Sequence, residues 1–134
     1  MATSPHHILA HTKTIAVVGA SKDPTKPGST IPTEMQRHGF RIIPVNPTAE
    51  TLFGERVYKT LEAIPEPVDL VNVFRPADEA PAIARQAVAI GAKALWLQTG
   101  IASDEARTIA EAGGLAFVED RCIAVERAKH RIDV

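Results

Sequence analysis

A short apolar run, Thr14-Ile15-Ala16-Val17-Val18, stops at Gly19-Ala20-Ser21. A polar loop follows from Lys22 to Ser29, and a helical pattern begins after it. Strand, glycine turn and helix N-terminus together present backbone N–H groups and a positive dipole end to an anion, most naturally a phosphate. Lys22, Lys26 and Arg75 can supply positive charge to such a ligand, and an arginine can do so bidentately. The chemistry implied by these residue types is recognition of a phosphorylated small molecule by main-chain donors.

Four further clusters sit where apolar runs end: Asn46-Pro47, Phe74-Arg75-Pro76, Gln98-Thr99-Gly100, and Glu119-Asp120-Arg121-Cys122. In an open α/β sheet, ligands bind beyond the carboxyl ends of the strands, near the point where the strand order reverses. Each cluster taken singly reads equally well as an ordinary turn. Several of them around one crevice favour a ligand site. The ligand does not read as a dinucleotide. The Gly-x-Gly-x-x-Gly fingerprint is absent, because the next glycine after Gly19 is Gly28. No carboxylate stands at the end of the second run to hold ribose hydroxyls.

The elements that must position these residues are five apolar runs at 15–18, 40–45, 68–74, 94–97 and 115–118, alternating with helical patterns. Unbroken β-branched and apolar runs are expected of strands covered on both faces. Ser29 or Thr30 is expected to cap the first crossover helix, with Pro32 in its first turn and Gly39 at its end. Residues 48–58 read as irregular with a turn at Phe53-Gly54, and 61–64 as one helical turn. A helix is expected over about 78–90. Another is capped by Ser103, with Asp104 and Glu105 in its first turn, and a last one over about 121–131 is capped by Asp120. Ser4-Pro5 opens a short N-terminal helix or arm over 1–12. Pro44 is awkward inside a strand, because it cannot donate to a ladder. The pattern predicts one α/β domain over 1–134, a Rossmann-like three-layer α/β/α arrangement. Its five-stranded parallel sheet is expected in the order 3-2-1-4-5.

Composition narrows the function classes. The 134 residues carry a formal net charge of -1, with one cysteine, one tryptophan and one tyrosine. There is no basic surplus or aromatic platform for nucleic acid. No apolar run reaches the roughly 20 residues that cross a bilayer. With no apolar leader segment either, a cytoplasmic protein acting on neither nucleic acid nor membrane is the expectation. The single Cys122 excludes an internal disulfide and a cysteine-rich zinc site. His7 and His11, four apart, would share a helix face, but no carboxylate or cysteine completes a ligand set.

At four stretches the chain resembles the small CoA-binding protein family, which is related to the N-terminal CoA-binding domain of the succinyl-CoA synthetase alpha subunit. They are Val17-Val18-Gly19-Ala20-Ser21 with Asp23-Pro24 and Lys26-Pro27; Pro44-Val45-Asn46-Pro47; Pro67 through Pro76; and Leu95 through Gly100 with Asp120-Arg121-Cys122. The likeness runs from about Lys13 to Glu126. It implies a Rossmann-like domain binding coenzyme A or an acyl-CoA. Gly19, Ala20, Ser21, Ser29 and Thr30 would hold the pyrophosphate, with Lys26 adding charge. Asn46 would lie near the adenosine part. Phe74, Arg75 and Pro76 would border the nucleotide or phosphates, and Gln98, Thr99 and Gly100 the pantetheine arm. The synthetase's phosphohistidine belongs to a second domain with no counterpart here, so non-catalytic binding is the expectation, with no protein partner specified. Two alternatives stay open: a NAD- or nucleotide-binding regulator, and an enzyme using Cys122 as a thiol.

Overall fold

The computed structural model describes residues 4–134. The N-terminal helix α1 (Pro5–Ala10) begins as expected: Ser4 is the cap, its Oγ accepting from the His7 N–H, and Pro5 occupies the first turn. Five parallel strands follow in chain order: β1 (Thr14–Val18), β2 (Arg41–Val45), β5 (Leu70–Val73), β6 (Ala94–Leu97) and β7 (Ala116–Val118). Between β2 and β5 lies a two-residue hairpin, β3 (Thr51–Leu52) and β4 (Glu55–Arg56). Its turn residues Phe53 and Gly54 both have positive φ, 57° and 74°, the signature of the tight hairpin turn that matches strand twist. Helices α2 (Pro27–Arg37), α3 (Ala80–Ala89), α4 (Asp104–Ala112) and α5 (Ile123–His130) complete the layers.

The sheet is the five-stranded, parallel, Rossmann-like one that the pattern implied, and its order is β2-β1-β5-β6-β7. Counting the five long strands along the chain, this is 2-1-3-4-5. The third strand pairs with β1 (Ile15 opposite Leu70, Val18 opposite Val73) rather than lying outside β2, where a 3-2-1-4-5 order places it. Pro44 supplies the physical reason. Successive strand residues turn their polar groups to opposite sides. The Val45 carbonyl faces β1 and accepts from Gly19 N–H at 3.3 Å, whereas the Pro44 carbonyl faces outward and accepts from Tyr58 N–H at 3.1 Å. The N–H that proline lacks would therefore point to the outer side of β2, so β2 makes a poor interior strand. Only a one-residue bridge, Val45 to Tyr58, pairs there. Arg41 braces the same edge, donating to Glu66 at 2.6 and 2.8 Å and to Glu55 at 2.8 Å. Its guanidinium holds the Glu66 carboxyl below the usual carboxylate range.

Strand residues alternate between two cores. Ala16, Ile43, Val71, Val73, Leu95 and Leu97 pack against α3 and α4 through Ala80, Ile83, Ala84, Ala87, Ala106 and Ala110. Ile15, Val17, Ile42, Leu70 and Trp96 pack on the other face against Met35 of α2, Ile123 of α5 and Leu9 of α1. Burial of each large aliphatic side chain contributes about 1.5–3 kcal/mol. Trp96 is fully buried, and its indole N–H donates to the Arg121 carbonyl at 2.9 Å, satisfying its one polar atom. The crossover to β2 runs over one face, and those to β6 and β7 run over the other. The sheet reverses direction between β1 and β5, where a crevice must open.

Two helix starts differ from expectation. α4 is capped by Ser103, whose Oγ accepts from the Ala106 N–H, as its sequence implies. α5 is capped at Cys122, not Asp120. Asp120 adopts a left-handed φ of 54° and gives its carboxylate to the Gly100 N–H at 2.6 Å instead. The second difference, at α2, reshapes the candidate site.

Candidate functional site

A cleft of about 750 Å³ opens at the carboxyl ends of the strands, over the β1–β5 reversal. Its size suits a cofactor-sized ligand. Gly19 begins its floor. Its φ of +90° suits glycine, and a Cβ there would stand 2.9 Å from Arg75 Cδ and 3.1 Å from the Phe74 carbonyl carbon and oxygen. Glycine thus lets the end of β5 close onto the end of β1.

The loop after Gly19 is built by short-range bonds. Asp23 N–H donates to Ser21 Oγ at 3.1 Å, and Asp23 Oδ1 accepts from Thr25 N–H at 3.0 Å and Thr25 Oγ at 2.7 Å. Those bonds from Thr25 hold the Asp23 carboxyl below its ordinary range. The loop then enters α2 three residues earlier than capping by Ser29 requires, and four earlier than capping by Thr30: Lys26 is the cap residue and Pro27 stands in the first turn. Proline preorganises that position and has no N–H to leave unpaired. Gly28 follows because the helix runs hard against the turn; a Cβ there would lie 2.7 Å from the Gly19 carbonyl oxygen. Pro32 lacks the N–H that would fill the Gly28 carbonyl within the helix. That carbonyl instead accepts from the Ser21 N–H at 3.1 Å and ties the loop to the helix.

This network decides which main-chain donors remain. Gly19 N–H is spent on Val45, Ser21 N–H on Gly28, and Ser29 and Thr30 N–H both on the Lys26 carbonyl at 2.9 and 3.0 Å. The N–H groups of Ala20, Lys22 and Gly28 have no acceptor among the described residues. All three residues line the cleft. Ala20 is only 2% exposed and Gly28 is also buried. Backbone donors in buried residues are nearly always satisfied, so their grouping at one strand–helix junction has the character of an anion cradle. The cleft lining adds four cations, Lys22, Lys26, Lys59 and Arg75, against a single acid, Glu79. Arg75 donates Nε and Nη2 to the Glu79 carboxylate at 3.1 and 2.7 Å, which holds the Glu79 carboxyl below the usual carboxylate range and leaves the Nη1 edge of the guanidinium without a partner among the described residues.

Of the residues singled out in the sequence, Gly19, Ala20, Ser21, Lys26, Asn46, Phe74, Arg75, Gln98 and Thr99 line the cleft. Ser29, Thr30, Pro76 and Gly100 do not. Ser29 and Thr30 sit within α2, Pro76 precedes the 3-10 turn Ala77–Glu79, and Gly100 gives its N–H to Asp120. Asn46 reaches the cleft with its side chain occupied: Nδ2 donates to the Ala20 carbonyl at 2.8 Å, and Oδ1 accepts from the N–H groups of Thr48 and Ala49 at 2.8 and 2.9 Å. It joins the end of β2 to the β1 turn. Gln98, 4% exposed, likewise uses Oε1 to accept from Asn72 Nδ2 at 3.3 Å and from the Ile123 N–H at 3.2 Å.

Sequence reasoning did not pick out Gly28, Lys59, Thr60, Glu79, Ile83, Gln86 or Ile101 as lining residues. Pro27 as a first-turn residue was the available signal for Gly28, and the four-residue spacing of Arg75 and Glu79 was the signal for that pair. Lys59 and Thr60 had none, because they arrive on the irregular segment beyond β2. Cys122 and the five histidines are absent from the cleft lining. Cys122 is half-buried at the start of α5. Among the described residues no helix is long and apolar enough to cross a membrane.

Comparison with known proteins adds a family. Residues 13–128 match the family described as CoA binding domain. The chain is 36% identical over 121 residues to the uncharacterized protein YneT of Bacillus subtilis, covering 90% of each. It is 31% identical over 105 residues to acetate–CoA ligase [ADP-forming] II of Archaeoglobus fulgidus. That alignment takes in 77% of this chain but 16% of that enzyme. A solved structure, cell-free ID.343 from Thermus thermophilus, superposes with a TM-score of 0.87 at 38% identity, covering 92% of this chain and 93% of that one.

Proposed function

The chain belongs to the CoA binding domain family, and from that footing we propose that its cleft binds coenzyme A or an acyl-CoA without catalysing a reaction on it. The observation that carries this reading is the set of unengaged N–H groups of Ala20, Lys22 and Gly28 at the junction of β1 and α2. They would receive the pyrophosphate, with Lys22, Lys26 and the Nη1 edge of Arg75 balancing its charge. The cleft then runs from the end of β2 and Asn46, for the adenosine part, to Thr99 and Gln98 at the end of β6, for the pantetheine arm.

Absence of catalysis is supported by the lining. It carries no histidine or cysteine, and its one acid is tied to Arg75, so no hydroxyl or thiol is paired there with an imidazole or a free carboxylate. The ligase relative is about six times longer than the segment it shares with this chain, and only the binding part of its chemistry is carried over. The occupied Asn46 side chain at the end of β2 gives a dinucleotide no carboxylate for its ribose.

Calorimetric titration and thermal unfolding with CoA, NAD and ATP test this reading. CoA at a hundredfold excess over its dissociation constant is expected to stabilise the protein by about 2.7 kcal/mol, with NAD and ATP far behind. A folded protein indifferent to CoA, or one stabilised equally by NAD, overturns it.

A further inference from the structure

The cleft's outer wall, beyond β2, is a segment whose side chains the cradle does not use. Tyr58 bridges to β2 through two main-chain bonds, Asn46 N–H to the Tyr58 carbonyl at 3.0 Å and Tyr58 N–H to the Pro44 carbonyl at 3.1 Å. This fixes the next two residues, Lys59 and Thr60, at the cleft's rim. Lys59 is exposed and forms no ion pair among the described residues, where the lysines that do pair are Lys93 and Lys129. Thr60 precedes the 3-10 turn Leu61–Ala63, yet its side chain makes no capping bond there. An ammonium and a hydroxyl thus stand side by side in sequence, both without a partner among the described residues, on a backbone held at both polar groups of Tyr58.

Position decides what this pair can meet. Neighbouring strands lie about 4.8 Å apart, so from Tyr58 across β2, β1 and β5 to β6 the cleft spans about 19 Å. The main-chain cradle lies over β1, two strand positions inward from Lys59. Lys22 and Lys26 flank that cradle and stand on the β1–α2 loop. Lys59 stands alone at the opposite, β2 side. A ligand with a pyrophosphate over β1 and a nucleoside toward β2 brings the substituents of its ribose to Lys59.

Resting on the CoA reading, we propose that Lys59, assisted by Thr60, recognises the ribose 3′-phosphate and makes the site selective for 3′-phosphorylated nucleotides over their dephosphorylated counterparts. A charge-assisted contact to a phosphate discriminates because the ligand lacking that phosphate forgoes the contact entirely.

The test is a matrix of dissociation constants for CoA and dephospho-CoA with wild type, Lys59→Met, Lys59→Arg and Lys26→Ala. Lys59→Met keeps the apolar stem and removes the charge at an exposed position. Wild type is expected to prefer CoA about tenfold. Lys59→Met is expected to bring the two ligands within about twofold by weakening CoA alone, and Lys59→Arg to keep the preference. Lys26→Ala is expected to weaken both ligands alike. Wild type binding both ligands equally, or a preference that survives Lys59→Met or disappears in Lys26→Ala, overturns the assignment while leaving CoA as the ligand. Wild type binding neither overturns the CoA reading itself.

Discussion

Replacing Gly19 by valine is expected to destabilise the unliganded protein by roughly 2–5 kcal/mol, combining left-handed backbone strain with overpacking. Native domains have only about 5–15 kcal/mol in total, so the loss is severe. The cause is internal. At φ +90° the new Cβ meets Arg75 Cδ and the Phe74 backbone within 3.1 Å, and a β-branched side chain has few rotamers with which to evade them. A side chain at this position would also obstruct the approach of a phosphate to the main chain. The structure gives the substitution a different first effect, parting β1 from β5. Chemical denaturation without ligand measures it: the expected result is a lower midpoint. An unchanged midpoint with CoA binding abolished would restore the simpler steric reading.

Arg75→Ala is expected to do the converse, leaving stability nearly intact and weakening CoA by roughly 1.5–3 kcal/mol, about ten- to 150-fold. The stability effect is small because Arg75 and Glu79 are each nearly half exposed, at 48% and 44%, and surface pairs contribute about 0–1 kcal/mol. The binding effect is large because the Glu79 fork fixes the guanidinium through Nε and Nη2 and leaves Nη1 for a phosphate oxygen. Calorimetry with CoA and with pantetheine lacking phosphates distinguishes the causes. Loss confined to CoA is the expected result, and equal loss for both ligands contradicts a phosphate contact.

Much of this architecture is legible in the chain because local signals agree with it. Unbroken runs such as Ile15-Ala16-Val17-Val18 and Ala94-Leu95-Trp96-Leu97 are strands buried on both faces, and Ser4-Pro5 and Ser103-Asp104-Glu105 open helices where their chemistry says. The position of the third strand is less legible, because its signal is a single residue. Pro44 in a strand marks an edge, and no further strand of the sheet pairs along the far side of β2. At α2, two plausible caps competed. Pro27 fixed the start, and Ser29 and Thr30 became helix interior with their N–H groups engaged. Asp120 was drawn from helix capping by a tertiary partner, Gly100, 20 residues away in sequence. Asn46 and Gln98 were correctly placed near the crevice, but residue type alone does not say that a side-chain amide is already occupied. Lys59 and Thr60 stayed invisible because the path from 46 to 69 follows no hydrophobic period. A three-dimensional tether, Tyr58 on Pro44 and Asn46, is what brings them to the rim.

The central claim is that three particular main-chain N–H groups receive the phosphates. Amide chemical-shift mapping by nuclear magnetic resonance during a CoA titration tests it most directly. The account predicts that the largest amide shifts fall on Ala20, Lys22 and Gly28, with Gly19, Ser21, Ser29 and Thr30 moving less because their N–H groups are already bonded within the protein. Saturable CoA binding with those three amides unmoved, or with the largest shifts at the opposite, amino-terminal ends of the strands around Thr14, Arg41 and Asp69, would contradict it.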